Sequence, residues 1–106
     1  MIIKNFTPHP ITVVDSKGNI VKTFQPEGLV RLKASTVPAG FEVDGVPVTK
    51  TVFGEPEGLL EQQDGVFIVV SQLVKSALPQ RTDLVVPAEV LRDTEGKILG
   101  CQSFGI

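Results

Sequence analysis

Turn-forming residues interrupt this chain so often that no long regular element is expected in it. Ten glycines and eight prolines are spread through 106 residues, and the breaks fall about every 8 to 12 residues, the rhythm of short strands joined by turns. Ile11–Val14 and Ile20–Phe24 flank Asp15-Ser16-Lys17-Gly18-Asn19, which reads as a β-hairpin. Gln25-Pro26-Glu27-Gly28 is a second turn, and Leu29–Lys33 then alternates apolar and basic like a half-exposed strand. Phe41–Val43 and Val46–Val48 bracket Asp44-Gly45, a pair that tolerates the positive φ angles of a type I′ turn. Pro47 cannot donate a ladder hydrogen bond, so its strand belongs at an edge or a bulge. Thr49–Phe53 continues extended, and Gly54–Gly58, holding Glu55 and Glu57, reads as a solvated acidic loop.

Val66–Val70 is apolar at every position and reads as a central strand covered on both faces. Ser71 follows as a helix N-cap, and Leu73, Val74, Ala77 and Leu78 form one apolar stripe on a helix near residues 72–78 that Pro79 stops. A short strand Leu84–Val86 ends at Pro87, and Val90–Arg92, Asp93–Gly96 and Lys97–Cys101 make a last hairpin. The expected fold is therefore mainly β (α+β), a compact small β-sheet or barrel-like single domain over residues 1–106. Its strands are short and antiparallel, with one short helix.

Composition narrows the function classes. A chain that is 42% hydrophobic and 21% charged can fold around a core. Its longest apolar run, Val66–Val70, is far below the ~20 residues of a membrane-crossing helix, so no membrane partner is expected. Met1–Asn5 shows no secretory signal pattern, and the single cysteine, Cys101, excludes an internal disulfide framework. The expected location is the cytoplasm. One histidine and one cysteine argue against zinc, and neither metal nor cofactor is expected. A net charge of −2, with no Trp or Tyr, excludes a nucleic-acid binder built on basic clusters and stacking aromatics. The mean hydropathy of +0.20 is high for a small domain and suggests a homo-oligomer.

No nucleophile elbow, phosphate-binding loop or His-Glu-x-x-His is present. Three polar groups remain. In Asn5-Phe6-Thr7-Pro8-His9-Pro10, two prolines stiffen the loop around His9, which suits recognition. The plainer alternative is that Asn5 and Thr7 make local turn bonds and His9 caps a carbonyl. Ser71 opens the only helix, where free N–H groups attract a phosphate, although an N-cap explains it equally. Arg81 and Arg92 are forks suited to phosphate or carboxylate, but Asp83 and Asp93 stand close enough to answer them. Glu55 and Glu57 as an acid–base pair, or Cys101 with His9 as a nucleophile, are weaker readings.

Asn5-Phe6-Thr7-Pro8-His9-Pro10-Ile11 resembles the Asn-Leu-Thr-Pro-His-Pro-Val opening of a family of small phage, prophage and bacterial proteins. The C-terminal half is also similar to it, through Ile68–Ser71, Val74, Ala77, Arg81-x-Asp83-Leu84-x-x-Pro87 and Leu91-Arg92-Asp93-x-x-Gly96-x-x-Leu99-Gly100-Cys101. Residues 25–50 match most loosely, and Ala88 stands where the family pattern has Gly. The family is largely uncharacterised, so the resemblance implies a phage context rather than a mechanism. In size and lack of catalytic motifs the chain is similar in kind to oligomeric phage sponges. These sequester nucleotide immune signals, such as cyclic dinucleotides and the cyclic ADP-ribose isomers of bacterial TIR-domain defence. That likeness implies a small nucleotide-type ligand, with Ser71, Arg81 and Arg92 on phosphates and Asn5, Thr7, His9 and Asp83 on ribose or base. Phe6 would stack on the base or fill the core.

Three function classes follow, each with a structural signature. A sequestering protein needs the His9 loop and the Arg81/Arg92 segment to converge on a pocket. A structural or protein-binding phage module has those polar residues satisfying one another, with an apolar patch or strand edge exposed. A small phosphodiesterase needs His9 oriented by a carboxylate beside the reacting group.

Overall fold

The computed structural model describes all of residues 1–106. In chain order the elements are β1 (Ile2–Asn5), β2 (Ile11–Val14), β3 (Ile20–Phe24), β4 (Arg31–Val43), β5 (Val46–Glu57), β6 (Val66–Val69), α1 (Gln72–Ala77), β7 (Leu84–Arg92) and β8 (Ile98–Gly105). Six strands form one sheet in the order β1-β6-β7-β8-β2-β3, and β4 and β5 pair only with each other. The mainly β domain with one short helix is thus what forms. Within the sheet, β1/β6, β6/β7 and β2/β8 run parallel, and β2/β3 and β7/β8 antiparallel.

The sheet closes on itself. Asn5, at the end of β1, bridges Pro26, just past the end of β3, and the Glu27 N–H donates to the Asn5 carbonyl at 2.8 Å. The two edge strands are thereby tied, giving a barrel-like body without long free edges at that seam. Its inner cluster is Ile11, Val69, Val85 and Cys101, with Ile3, Val13, Phe24, Phe67 and Phe104 around it. Phe24 and Phe104 meet edge to face with ring centres 5.9 Å apart. Cys101 and Phe104 are three residues apart yet both reach this cluster. Cys101 lies opposite Val90 and Phe104 opposite Pro87, and Glu89 between those positions has a left-handed backbone (φ 52).

A second cluster lies outside the barrel wall, where Ile68, Val70 and Leu84 meet Val74 and Leu78 of the helical segment together with Phe6 and Val30. β6 therefore has apolar cover on both faces, as its unbroken run of apolar residues requires. The helix starts as its sequence indicates, with Ser71 Oγ accepting from the Val74 N–H at 3.3 Å. Its apolar stripe is narrower than expected: Val74 and Leu78 are buried, but Leu73 is 57% exposed because a two-turn helix touches the wall along one line only. Pro87 does not end its strand either. It faces Phe104 in register, and β7 continues to Arg92.

β4 and β5, 13 and 12 residues long, leave the body as an arm, longer than the short strands expected. The Asp44-Gly45 turn has φ angles of 49° and 76°, as a type I′ hairpin needs. Gly54–Glu57 belongs to β5 and is not a loop, because Pro56 and Glu57 stay in register with Leu32 and Arg31. Glu57 bonds Lys33 at 3.0 Å on the surface. The arm's root is fixed by Val30, Leu32 and Leu59 against the outer cluster. Gly58 (φ 85) is required at this root, since a Cβ there would collide with the Leu29 carbonyl. The arm gives a radius of gyration of 17.3 Å, against about 13 Å for a compact chain of this length.

Replacing Ile68 by Ala removes a side chain from the closed outer cluster and should cost about 2–5 kcal/mol. Leu73→Ala should change stability by less than about 0.5 kcal/mol. Urea unfolding followed by circular dichroism measures both.

Candidate functional site

The Asn5–His9 segment is built around one buried amide. Asn5 is 0% exposed, and its Nδ2 donates to the carbonyls of His9 (2.8 Å) and Phe24 (3.0 Å). Its Oδ1 accepts from the Thr7 N–H at 2.9 Å and faces Thr7 Oγ1 at 2.7 Å. Thr7 Oγ1 also lies 3.0 Å from the His9 carbonyl. Donors meet carbonyls and the acceptor meets N–H and O–H, so the amide has one orientation only. Phe6 turns the other way into the outer cluster, its ring against Gly28, where a Cβ would come within 2.9 Å of Cε2. His9 contributes its backbone carbonyl, while its imidazole is exposed.

Arg81 and Asp83 form the second group. Arg81 Nε and Nη2 donate to Asp83 Oδ1 and Oδ2 at 2.9 and 2.8 Å, a two-pronged pair. Arg81 Nη2 also donates to the Leu60 carbonyl at 2.8 Å, and Gln62 Nε2 to Thr82 Oγ1 at 2.8 Å. The side chains are 19% and 4% exposed. Hydrogen bonding to Asp83 raises the Arg81 pKa further above its ordinary value, so the guanidinium stays charged. This clasp holds the chain leaving the arm against the start of β7.

Arg92 finds no partner in Asp93. Its Nη1 donates to the Gly96 carbonyl at 2.9 Å, while Asp93 Oδ1 accepts the N–H groups of Glu95 and Lys97, both at 2.9 Å. Asp15 does the same for Lys17 and Asn19 at 2.9 Å, so the two hairpins share one Asp-x-x-Gly-x turn. The N–H of Asn19 is the main cause of the lowered Asp15 pKa.

The topology separates these groups. β1 and β6 run parallel with Asn5 level with Val69, which brings the Asn5–His9 segment and Ser71 to one end of the barrel wall. Asp83 precedes Leu84, the partner of Ile68, and so lies toward the other end. Arg81 and Arg92 flank opposite ends of the nine-residue β7, roughly 30 Å of extended chain at about 3.3 Å per residue. Of the eight residues singled out, Asn5, Thr7 and the His9 backbone form one bonded unit, and Arg81 with Asp83 another. Ser71 caps a six-residue helix, Phe6 is core, and Arg92 stands apart. Every buried side-chain polar atom has a partner.

None of these eight residues lies on the arm. The chain's one surface hollow, about 240 Å³, lies near the arm's tip among Pro38, Gly40, Phe41, Glu42, Pro47 and Val48, below the ~300–1,000 Å³ of small-molecule sites. The signal was present in the alternation Val46, Val48, Lys50, Val52 against Pro47, Thr49, Thr51, Phe53. Compared with protein-family models, curated proteins and solved structures, the chain matches none. No helix is long and apolar enough to cross a membrane.

Asn5→Ala takes the side-chain partner from the Thr7 N–H and the Phe24 carbonyl at the seam and should cost about 3 kcal/mol. A fall in melting temperature of more than about 10 °C would register it. Cys101 is buried, and desolvation pushes its thiol pKa up. The protonated thiol's contribution to stability is therefore intact below its ordinary 9.0 and is lost as pH rises from there through the raised folded value. Iodoacetamide at pH 8 should label Cys101 in urea and leave it unmodified in the native protein.

Proposed function

We propose that the protein is a structural or protein-binding module, of the phage accessory kind its family resemblance implies, acting through its surface. The observation that carries this reading is that Asn5, Thr7, Arg81 and Asp83 bond one another and nearby carbonyls. Asn5 is bonded to Thr7, His9 and Phe24, and Arg81 to Asp83 and Leu60, while Phe41, Val43 and Val46 stand exposed on the arm.

Sequestration of a nucleotide signal, the function expected from the likeness to phage sponges, has weaker support. It needs cations free to meet phosphates, and Arg81 is already held by a carboxylate and a carbonyl. Recruiting it would leave Asp83, 4% exposed, as an unpaired buried charge. A phosphodiesterase has less, since no carboxylate bonds the His9 segment.

Native mass spectrometry with cyclic ADP-ribose isomers and cyclic dinucleotides tests all three. The expected spectrum is unchanged by every nucleotide. An intact bound nucleotide would replace this reading with sequestration, and a shortened one with hydrolysis.

A further inference from the structure

We propose that the hollow near the tip of the arm is a docking site for an arginine side chain presented by a different protein. The inference rests on the reading of the protein as a protein-binding module and names what its partner must bring.

The hollow exists because β4 carries more residues than β5 at this point. Pro38 faces Thr49 and Glu42 faces Pro47, so Ala39, Gly40 and Phe41 stand opposite Val48 alone. A bulge of this kind bends the strand and re-aims its side chains. Gly40 has φ 91, which a residue with a side chain rarely adopts, and a Cβ there would meet no atom of the chain. The space beside Gly40 is therefore open. Pro38, Phe41, Glu42, Pro47 and Val48 complete the lining. The two proline rings stiffen the backbone around the bulge, so the shape is set before anything binds.

Charge and size point to the occupant. The lining holds one charge, the Glu42 carboxylate, among two prolines, a phenyl ring and a valine. The ion pairs of the chain are Lys33–Glu57 and Arg81–Asp83, so Glu42 has no counter-ion. Between Pro38 and Val48 the only charges are Glu42 and Asp44, both acidic. A phosphate would be repelled here, whereas a cation meets a carboxylate. The hollow, about 240 Å³, falls short of the ~300–1,000 Å³ of small-molecule sites, which suits one side chain rather than a whole ligand.

Among cationic side chains arginine fits best. Its apolar stem packs on proline and valine, and its weakly hydrated planar head stacks on a phenyl ring. Its forked N–H groups meet a carboxylate in a two-pronged pair. Phe41 is 59% exposed, so its ring is open to that head. Val43 and Val46, chain neighbours of Glu42 and Pro47, are 55 and 62% exposed and offer contact to apolar residues flanking the arginine. An arginine anchor ringed by contacts that exclude water is the make-up of an interface hot spot.

Two-dimensional NMR of the isotope-labelled protein, titrated with acetyl-Leu-Arg-Leu-amide, reads the site. Amide signals of Gly40, Phe41, Glu42 and Val48 should shift and saturate, with a Kd on the order of 1 mM for so small a probe. The same peptide with citrulline for arginine, alike in shape but uncharged, should bind at least about tenfold more weakly. Glu42→Gln and Phe41→Ala should each weaken the arginine peptide by about tenfold, with the barrel signals unmoved. Asp44→Asn, at the tip but outside the hollow, should change the affinity by less than about twofold. No saturable shift at these amides would overturn the proposal. Equal binding of the citrulline peptide, or a loss in Asp44→Asn equal to that in Glu42→Gln, would also overturn it. A wild-type oligomer that Glu42→Gln dissociates would replace the different protein by a second copy. A nucleotide in the native mass spectra, with the arginine peptide still held through Glu42, would overturn the module reading and keep the hollow. Binding of neither peptide nor nucleotide would do the reverse.

Discussion

The buried amide of Asn5 is the interaction on which the body of this protein depends. Six short strands form a stable barrel only if their two edges meet, and at the meeting point of β1 and β3 that side chain bonds both sides of the seam. An amide taken out of water is costly unless every donor and acceptor is matched. Here the two protons meet two carbonyls and the oxygen faces Thr7. Packing alone would tolerate several arrangements of the seam; a fully satisfied amide accepts only one.

The same economy explains the Arg81–Asp83 clasp and the position of Phe6. Phe6 and Val30 hold the chain entering the arm against the outer cluster. Arg81 holds the chain leaving it, through the Leu60 carbonyl. The conspicuous motif residues thus frame the point where a long ribbon leaves a small barrel. A lever of that length needs a rigid root, and charge-assisted bonds that are largely shielded from water supply it. In the folded chain Asn5 bonds the His9 and Phe24 carbonyls, and Arg81 bonds Asp83 and the Leu60 carbonyl.

Much of the local structure was legible from residue types. Asp15 with Gly18 and Asp93 with Gly96 write their own turns, since the carboxylate collects nearby N–H groups and glycine adopts the positive φ. Ser71 starts the helix for the same reason of proximity. The errors arose where neighbours distant in sequence decide the outcome. Leu73 fits an apolar stripe but the wall is too narrow to reach it. Pro87 reads as a stop yet sits in a strand held on either side of it by β8. Arg92 and Arg81 look alike beside their aspartates, but the Asp93 carboxylate serves its own turn and that of Asp83 does not.

The sequence by itself determined the mainly β class, the hairpin turns, the central strand and the bounds of the helix, because each rests on bonds and φ angles within a few residues. The tertiary structure alone decided that the sheet closes through Asn5 and Phe24, nineteen residues apart, and that Arg81 reaches Leu60, twenty-one residues away. It also decided that the β4–β5 hairpin pairs with no strand of the barrel. Strand pairing is a choice among distant partners with similar local patterns, and only the geometry of the whole chain selects one.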